Sequence, residues 1–279
     1  MATHSTNPDG SKKMTIFMSD GVGFVERLET FGDDLTVVNA ARVSFAKESA
    51  EFDNKDAKLV KYLAKHGHIS PFFHPQIRFR LKMPIFVARE WFRHTVGFSR
   101  NEVSRRYVDT RPECWVPVDG VRARDANLKQ GSRPEPVANH DELLSKISTM
   151  QKQVVDFYED MLAQGVAPEV ARGILPQSMY TEFIETGSLY AYARLCNLRL
   201  DPHAQKEIRD YAEALSKTLS GLFPVSWPAL THAVQPTADA VPAIASAPIS
   251  APTPAPEPVP APVEQAPKGF ISSVLSHIL

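Results

Sequence analysis

Residues 76–83 alternate strictly, with Ile77, Phe79, Leu81 and Met83 on one side and Arg78, Arg80 and Lys82 on the other. A period of two with one apolar face predicts a half-buried antiparallel strand. Pro84 then suits the first turn of a helix, which carries Phe86, Val87, Trp91 and Phe92 towards Arg93, and from there the chain is expected to continue into a loop. Residues 55–66 put Leu59, Leu63 and Ala64 on one helical face, and Gly67 can end that helix. The longest helical pattern spans 139–165. There Leu143, Leu144, Ile147, Met150, Val154, Phe157, Tyr158 and Met161 form a stripe expected to pack as core. Pro168 opens a short helix that Pro176 stops; 180–184 reads as a strand, and 189–198 and 203–222 read as helices. Residues 34–44 (DLTVVNAARVS) begin like a strand and pass into small residues. Helices and strands mix without a regular βαβ alternation, so the expected class is α+β. No dinucleotide-binding or Walker glycine loop is present.

The ends of the chain change this picture. Residues 1–13 are polar and expected to be disordered, and 14–234 form the folded body. Residues 235–267 are nearly all Ala, Pro, Val, Ser and Thr and hold 10 of the 23 prolines, the composition of an extended linker that cannot bury a core. Residues 268–279 close with Phe270, Ile271, Val274, Leu275, Ile278 and Leu279 at helical spacing, a short amphipathic segment. No apolar run reaches the roughly 18 residues of a membrane span, and no secretory signal is visible. Two cysteines, Cys114 and Cys196, give no disulfide framework, which points to a reduced, cytoplasmic setting. The histidines, including His66 and His68, lack metal-site spacing, so no metal is expected.

Charge supplies the candidate chemistry. The chain has a net charge of −1, yet 93–107 (RHTVGFSRNEVSRRY) concentrates Arg93, His94, Arg100, Arg105 and Arg106 against one acid, Glu102. Arginine forks match phosphate oxygens, and apolar flanks make unpaired guanidiniums costly, so this stretch reads as a site for a multiply charged anion. A second possibility is nucleic-acid binding, with Trp91, Phe92, Phe98 and Tyr107 as stacking groups. The near-neutral charge and the want of a second basic patch weigh against it. Cys196 lies mid-helix in the pattern without a nearby His, as a packed thiol would, and Ser104 has no nucleophile-elbow context. Many arginines, a few hydroxyls and no activated nucleophile suit electrostatic catalysis with a cofactor carrying the harder chemistry.

RHTVGFSRNEVSRRY resembles the signature of flavin-dependent thymidylate synthases, which reads Arg-His-Arg, seven residues, Ser, then Arg-Tyr shortly after. Four further blocks resemble the family in order: HGHISPFFH (66–74), PIFVAREWFR (84–93), EVARGILP (169–176) and NLRLDPHAQ (197–205). The resemblance covers about 35–222 and implies a mixed, largely antiparallel sheet with flanking helices. It implies dTMP synthesis from dUMP, with the carbon from methylenetetrahydrofolate and electrons from NADPH through FAD. It also implies a homotetramer whose sites are shared between subunits, with neither nucleic acid nor membrane as a partner.

By the same resemblance, Glu90, Trp91, Phe92 and Arg93 line the dUMP site with Glu102, Val103, Ser104, Arg105 and Arg106. Ser104 and Arg106 would act at the phosphate, and Arg172 would reach in from a neighbouring subunit. Arg199 would favour the ionised uracil, and Arg199 and Ser104 are the implied catalytic residues. Ser44, His68, Ser70, Arg93, His94 and Thr95 would contact FAD, with Ser188, Tyr190 and Arg194. The chain also departs from the family pattern. Thr95 stands where the second Arg belongs, and the spacing to Ser104 is one residue longer; Arg100 is expected to supply the missing charge. Glu90 stands where Gln is frequent and Phe73 where a flavin-contacting Glu is common. Ser188, Tyr190 and Arg194 replace Asn, Arg and Asn. These changes leave open a dUMP- and flavin-binding homologue that lacks methyl transfer.

Overall fold

The computed structural model describes residues 2–6, 12–108, 110–126 and 131–231. In chain order the strands are β1 (Ala2–Thr6), β2 (Lys12–Phe17), β3 (Phe24–Phe31), β4 (Gln76–Pro84), β5 (Phe98–Glu102), β6 (Arg122–Arg124), β7 (Ser132–Pro136) and β8 (Tyr180–Ser188). The helices are α1 (Asp34–Arg42), α2 (Asn54–Lys65), α3 (Ile85–Trp91), α4 (His140–Ala163), α5 (Pro168–Ala171), α6 (Leu189–Arg199), α7 (Lys206–Leu222) and α8 (Ser226–Leu230). Six strands form one sheet in the order β1-β2-β3-β4-β8-β5, every neighbouring pair antiparallel, and β6 and β7 make a separate hairpin. The α+β expectation holds. The chain divides into Met1–Pro236 and Thr237–Leu279; the expected linker and C-terminal segment lie outside the described residues.

β4 is the strand that its alternation predicts. Ile77, Phe79, Leu81 and Met83 are all fully buried and meet Leu189, Tyr192, Leu195, Ile208 and Leu215 of α6 and α7 in one core. The other face carries a cross-strand charge ladder, with Arg78 at 2.6 Å from Glu29 and Arg80 at 3.0 Å from Glu26 and 3.4 Å from Glu182. Opposite charges placed across neighbouring strands support the register. α2 matches its prediction, and Gly67 ends it with a positive φ of 69°.

Four expectations are corrected. Residues 34–42 form a helix, α1, followed by the 3₁₀ turn Val43–Phe45, because Asp33 and Thr36 build a reciprocal capping box that outweighs the β-branched pair Val37 and Val38. Asp34 then accepts from the backbone N–H groups of Val225 and Ser226, each at 2.9 Å, which anchors α1 to α8. Residues 2–6 form β1 against β2 where disorder was expected, so the sheet begins before residue 14. Residues 98–102, read as loop, are β5, an edge strand paired with β8. The stripe of α4 is core only in part. Of the stripe, Tyr158 is buried, as is Val155 outside it, whereas Met150 is 65% and Phe157 55% exposed, so the described residues leave much of that apolar face uncovered.

Candidate active site

Two arms leave the central sheet and carry the cationic motif. The first is α3, which ends at Trp91 and delivers Glu90, Arg93 and His94 to one edge. The last residue of α6, Arg199, meets them there. Its Nε donates to His94 Nε2 at 3.0 Å, Nη1 donates to Glu90 Oε2 at 3.4 Å, and Nη2 donates to the Glu90 carbonyl at 3.2 Å. Burial, followed by the charges of Arg199, Arg100, Arg194 and Arg93, pushes the His94 pKa down to about 4. His94 is therefore neutral at neutral pH. With Nε2 accepting, its proton sits on Nδ1.

Glu90 and Arg199 open on a cavity of about 650 Å³ that Arg122, Arg133, Lys206 and Arg209 also line. Lys206 is held by Asp119 at 3.0 Å and Asp210 at 2.6 Å, and Arg122 by Glu207 at 2.5 Å. Arg133 makes no ion pair among the described residues. The balance of the lining favours an anion.

The second arm is β5 and the loop after it. Glu102 accepts from Thr181 Oγ1 at 2.5 Å, and the Val103 N–H donates to the Glu182 carbonyl at 2.9 Å. The Ser104 hydroxyl oxygen accepts from the Arg106 N–H at 3.3 Å, and Arg105 donates to the Thr110 carbonyl. Arg106 lies 3.7 Å from Glu169 of α5 and over the Tyr107 ring at 5.4 Å. Arg172, exposed, opens the 3₁₀ turn that follows α5. Among the described residues, no hydrogen bond or ion pair joins Ser104, Arg106 or Arg172 to Glu90, His94 or Arg199. Nor do those three line the cavity. The structure thus gathers the expected dUMP residues into two groups.

The residues expected at FAD are mostly exposed. Ser44 lies in the 3₁₀ turn Val43–Phe45, and His68 and Ser70 follow α2, where the Tyr62 ring stacks at 4.3 Å from His66 and 6.2 Å from His68. Arg93 and Arg194 are exposed and form no hydrogen bond or ion pair among the described residues. Guanidiniums of this kind fit a pyrophosphate, and the exposed faces of Tyr62 and His68 fit a planar heterocycle, so these residue types suit a flavin dinucleotide. Tyr190 packs on Phe73 at 5.1 Å. Thr95 is exposed and accepts a 3.2 Å turn bond from Phe98 at its carbonyl. Within that turn Gly97 has a φ of 84°, and a Cβ there would stand 2.9 Å from the Ala191 Cβ. The longer motif loop therefore needs glycine to seat against α6.

Three expected roles change. Trp91 does not line a nucleotide site: it is fully buried, and its indole N–H points at both Glu185 oxygens at 3.2 Å. The Ser188 hydroxyl is buried and caps α6, accepting from the Ala191 N–H at 3.1 Å, so it is not free for a flavin. Arg100 does not stand in for the charge absent at Thr95. Its guanidinium turns inward to Glu185 and packs over Phe98 at 4.7 Å and Phe92 at 5.4 Å. Cys196 is a packed thiol, fully buried and pushed far above its ordinary pKa. Sequence reasoning missed Glu185 and the cavity cations Arg122, Lys206 and Arg209. Arg100, near Phe98 in the chain, signals that an anion must meet it, but not that the anion is Glu185.

Residues 28–225 match the family described as thymidylate synthase complementing protein. The chain belongs to that family. It is 39% identical over 207 residues to a flavin-dependent thymidylate synthase of Thermus thermophilus, covering 74% of this chain and 75% of the relative. It is 41% identical over 195 residues to the Thermotoga neapolitana enzyme of the same name, covering 70% and 84%. Among solved structures, the UMP/dUMP methylase PolB from Streptomyces cacaoi, bound with 5-Br dUMP, superposes with a TM-score of 0.66 at 30% identity, covering 74% of this chain and 93% of that one. The family match spans both arms, Arg172 and Arg199.

Proposed function

We propose that the chain is a flavin-dependent thymidylate synthase that methylates dUMP reductively to dTMP, with methylenetetrahydrofolate as carbon donor and NADPH as reductant. FAD, when bound, supplies the hydride chemistry; the rest follows from this chain's side chains. The observation that carries the reading is Arg199, fixed by Glu90 and a neutral His94 at the mouth of a cation-lined cavity. A guanidinium held in place can stabilise negative charge on uracil N3 and its carbonyl oxygens without reorganising during the reaction. Ser104 and Arg106 bind the dUMP phosphate, with Glu102, Val103 and Arg105 shaping the loop. Arg93 and Arg194 bind the FAD pyrophosphate, with Ser44, His68, Ser70, His94, Thr95 and Tyr190 around the cofactor.

Arg172 acts on the nucleotide of a neighbouring subunit in a homotetramer. Two observations support this: among the described residues, neither Arg172 nor Arg106 bonds to Arg199 or lines its cavity, and the apolar residues Tyr107, Met150, Phe157 and Val170 are exposed. The two free cysteines suit a reduced cytoplasmic setting. The test is release of tritium from 5-tritiated dUMP by the yellow, flavin-loaded protein, given NADPH and methylenetetrahydrofolate. Release dependent on all three supports the reading. A flavin-bound protein that releases none is a homologue without methyl transfer, and a colourless one that binds nucleic acid overturns the reading entirely.

A further inference from the structure

Arg100 differs from every other cation in the motif because it faces the protein interior. It stands directly opposite Glu185 in the β5–β8 register, and the two side chains form an ion pair. Glu185 has no solvent exposure, so burial pushes its carboxyl pKa up while Arg100 and Trp91 pull it down. A buried ion pair adds little net stability over apolar side chains of similar volume. Arg100 Nη2 is also buried without a hydrogen bond, a further cost. Stability is therefore a poor reason for this pair to exist, whereas its connections suggest another. Glu185 holds α3 through Trp91, and α3 runs into Arg93 and His94. It holds β5 through Arg100, and β5 runs into Glu102 and the Ser104–Arg106 turn. The Arg100 guanidinium also touches both arms directly, over Phe92 on one and Phe98 on the other.

We propose that Arg100 and Glu185 are a positioning pair which fixes the helix arm and the strand arm of the motif relative to each other, and so fixes where dUMP is held, without touching it. Because the nucleotide is identified only through the synthase reading, the inference rests on that reading. Removing both charges together separates positioning from stability. Arg100→Met/Glu185→Leu keeps comparable volume and leaves no stranded charge, so it should retain flavin and melt within a few degrees of wild type. Its KM for dUMP should rise tenfold or more with a smaller change in kcat, and Arg100→Lys, which keeps the charge without the planar fork, should fall between. Amide exchange should quicken at 92–95 and 98–106 while β4 and α7 stay protected. If the apolar pair does not fold, Arg100→Gln/Glu185→Gln takes its place with the same expectations. A folded double variant with wild-type KM and wild-type exchange overturns the proposal. If wild type itself neither binds dUMP in calorimetry nor turns it over, the synthase reading fails. The exchange pattern then decides on its own whether the pair fixes the two arms.

Discussion

The two arms of the motif, a helix that follows β4 and an edge strand that pairs with β8, arrive in opposite conditions. The helix arm is assembled within one chain, since Arg199 bonds both Glu90 and His94 and its surroundings are half-buried. The strand arm is unfinished. Arg106 approaches Glu169 at 3.7 Å and lies over the ring of Tyr107, itself 76% exposed, and Arg172 stands exposed. Groups that stabilise charge in a transition state act best when fixed beforehand, which is the state of Arg199. Groups completed by a neighbouring copy need not be fixed in one chain alone. Under the proposed function, the contrast fits electrostatic catalysis at the first arm and assembly-dependent binding at the second.

The sharpest way to break that contrast is Arg199→Ala. Loss of a preorganised charge contact costs about 3 kcal/mol, roughly a hundredfold in turnover, and flavin absorbance should remain near that of wild type. Turnover within a few-fold of wild type would remove Arg199 from the chemistry. A smaller effect tests the second arm. Arg172→Ala chains and Arg199→Ala chains, each nearly inactive, should regain part of the activity after subunit exchange, because some mixed sites recover both arginines. Verified exchange without recovery would confine each site to one chain.

The smallest effect concerns pH. The His94 pKa is about 4 in the folded protein against 6.5 ordinarily. Between those values the unfolded chain binds a proton that the folded one refuses, so stability is full above 6.5 and is lost as pH falls towards 4. Melting temperature should therefore drop more steeply over that interval in wild type than in His94→Gln, where glutamine can still accept from Arg199. Parallel curves would show that His94 titrates normally and that neither its burial nor the Arg199 charge holds it neutral.

The parts legible in the sequence are those where one local rule dominates. β4 announced itself because a strict period of two fits little besides a half-buried strand, and its apolar side is fully buried. α1 was misread because Thr36, Val37 and Val38 favour strand locally, while the deciding bonds come from Asp33 and from residues near 225. The motif residues were found in sequence, but their directions were not. Trp91 and Arg100 sit among exposed cations in the chain, yet both turn to Glu185, which is 94 and 85 residues away respectively. Nothing local distinguishes a guanidinium aimed at a ligand from one aimed at a buried carboxylate. The uncovered face of α4 was equally hidden, because an apolar stripe has the same period whether the same chain or another covers it.

The Glu185 pair also constrains how this sequence can drift. If Arg100 changes first, a carboxylate is stranded in the core; if Glu185 changes first, a guanidinium is stranded between two phenyl rings. Either single step crosses a valley of several kcal/mol, while the joint replacement need not. The two positions therefore form one inherited character, passed on or exchanged as a unit, although one lies in the signature and the other in a strand that no motif would mark.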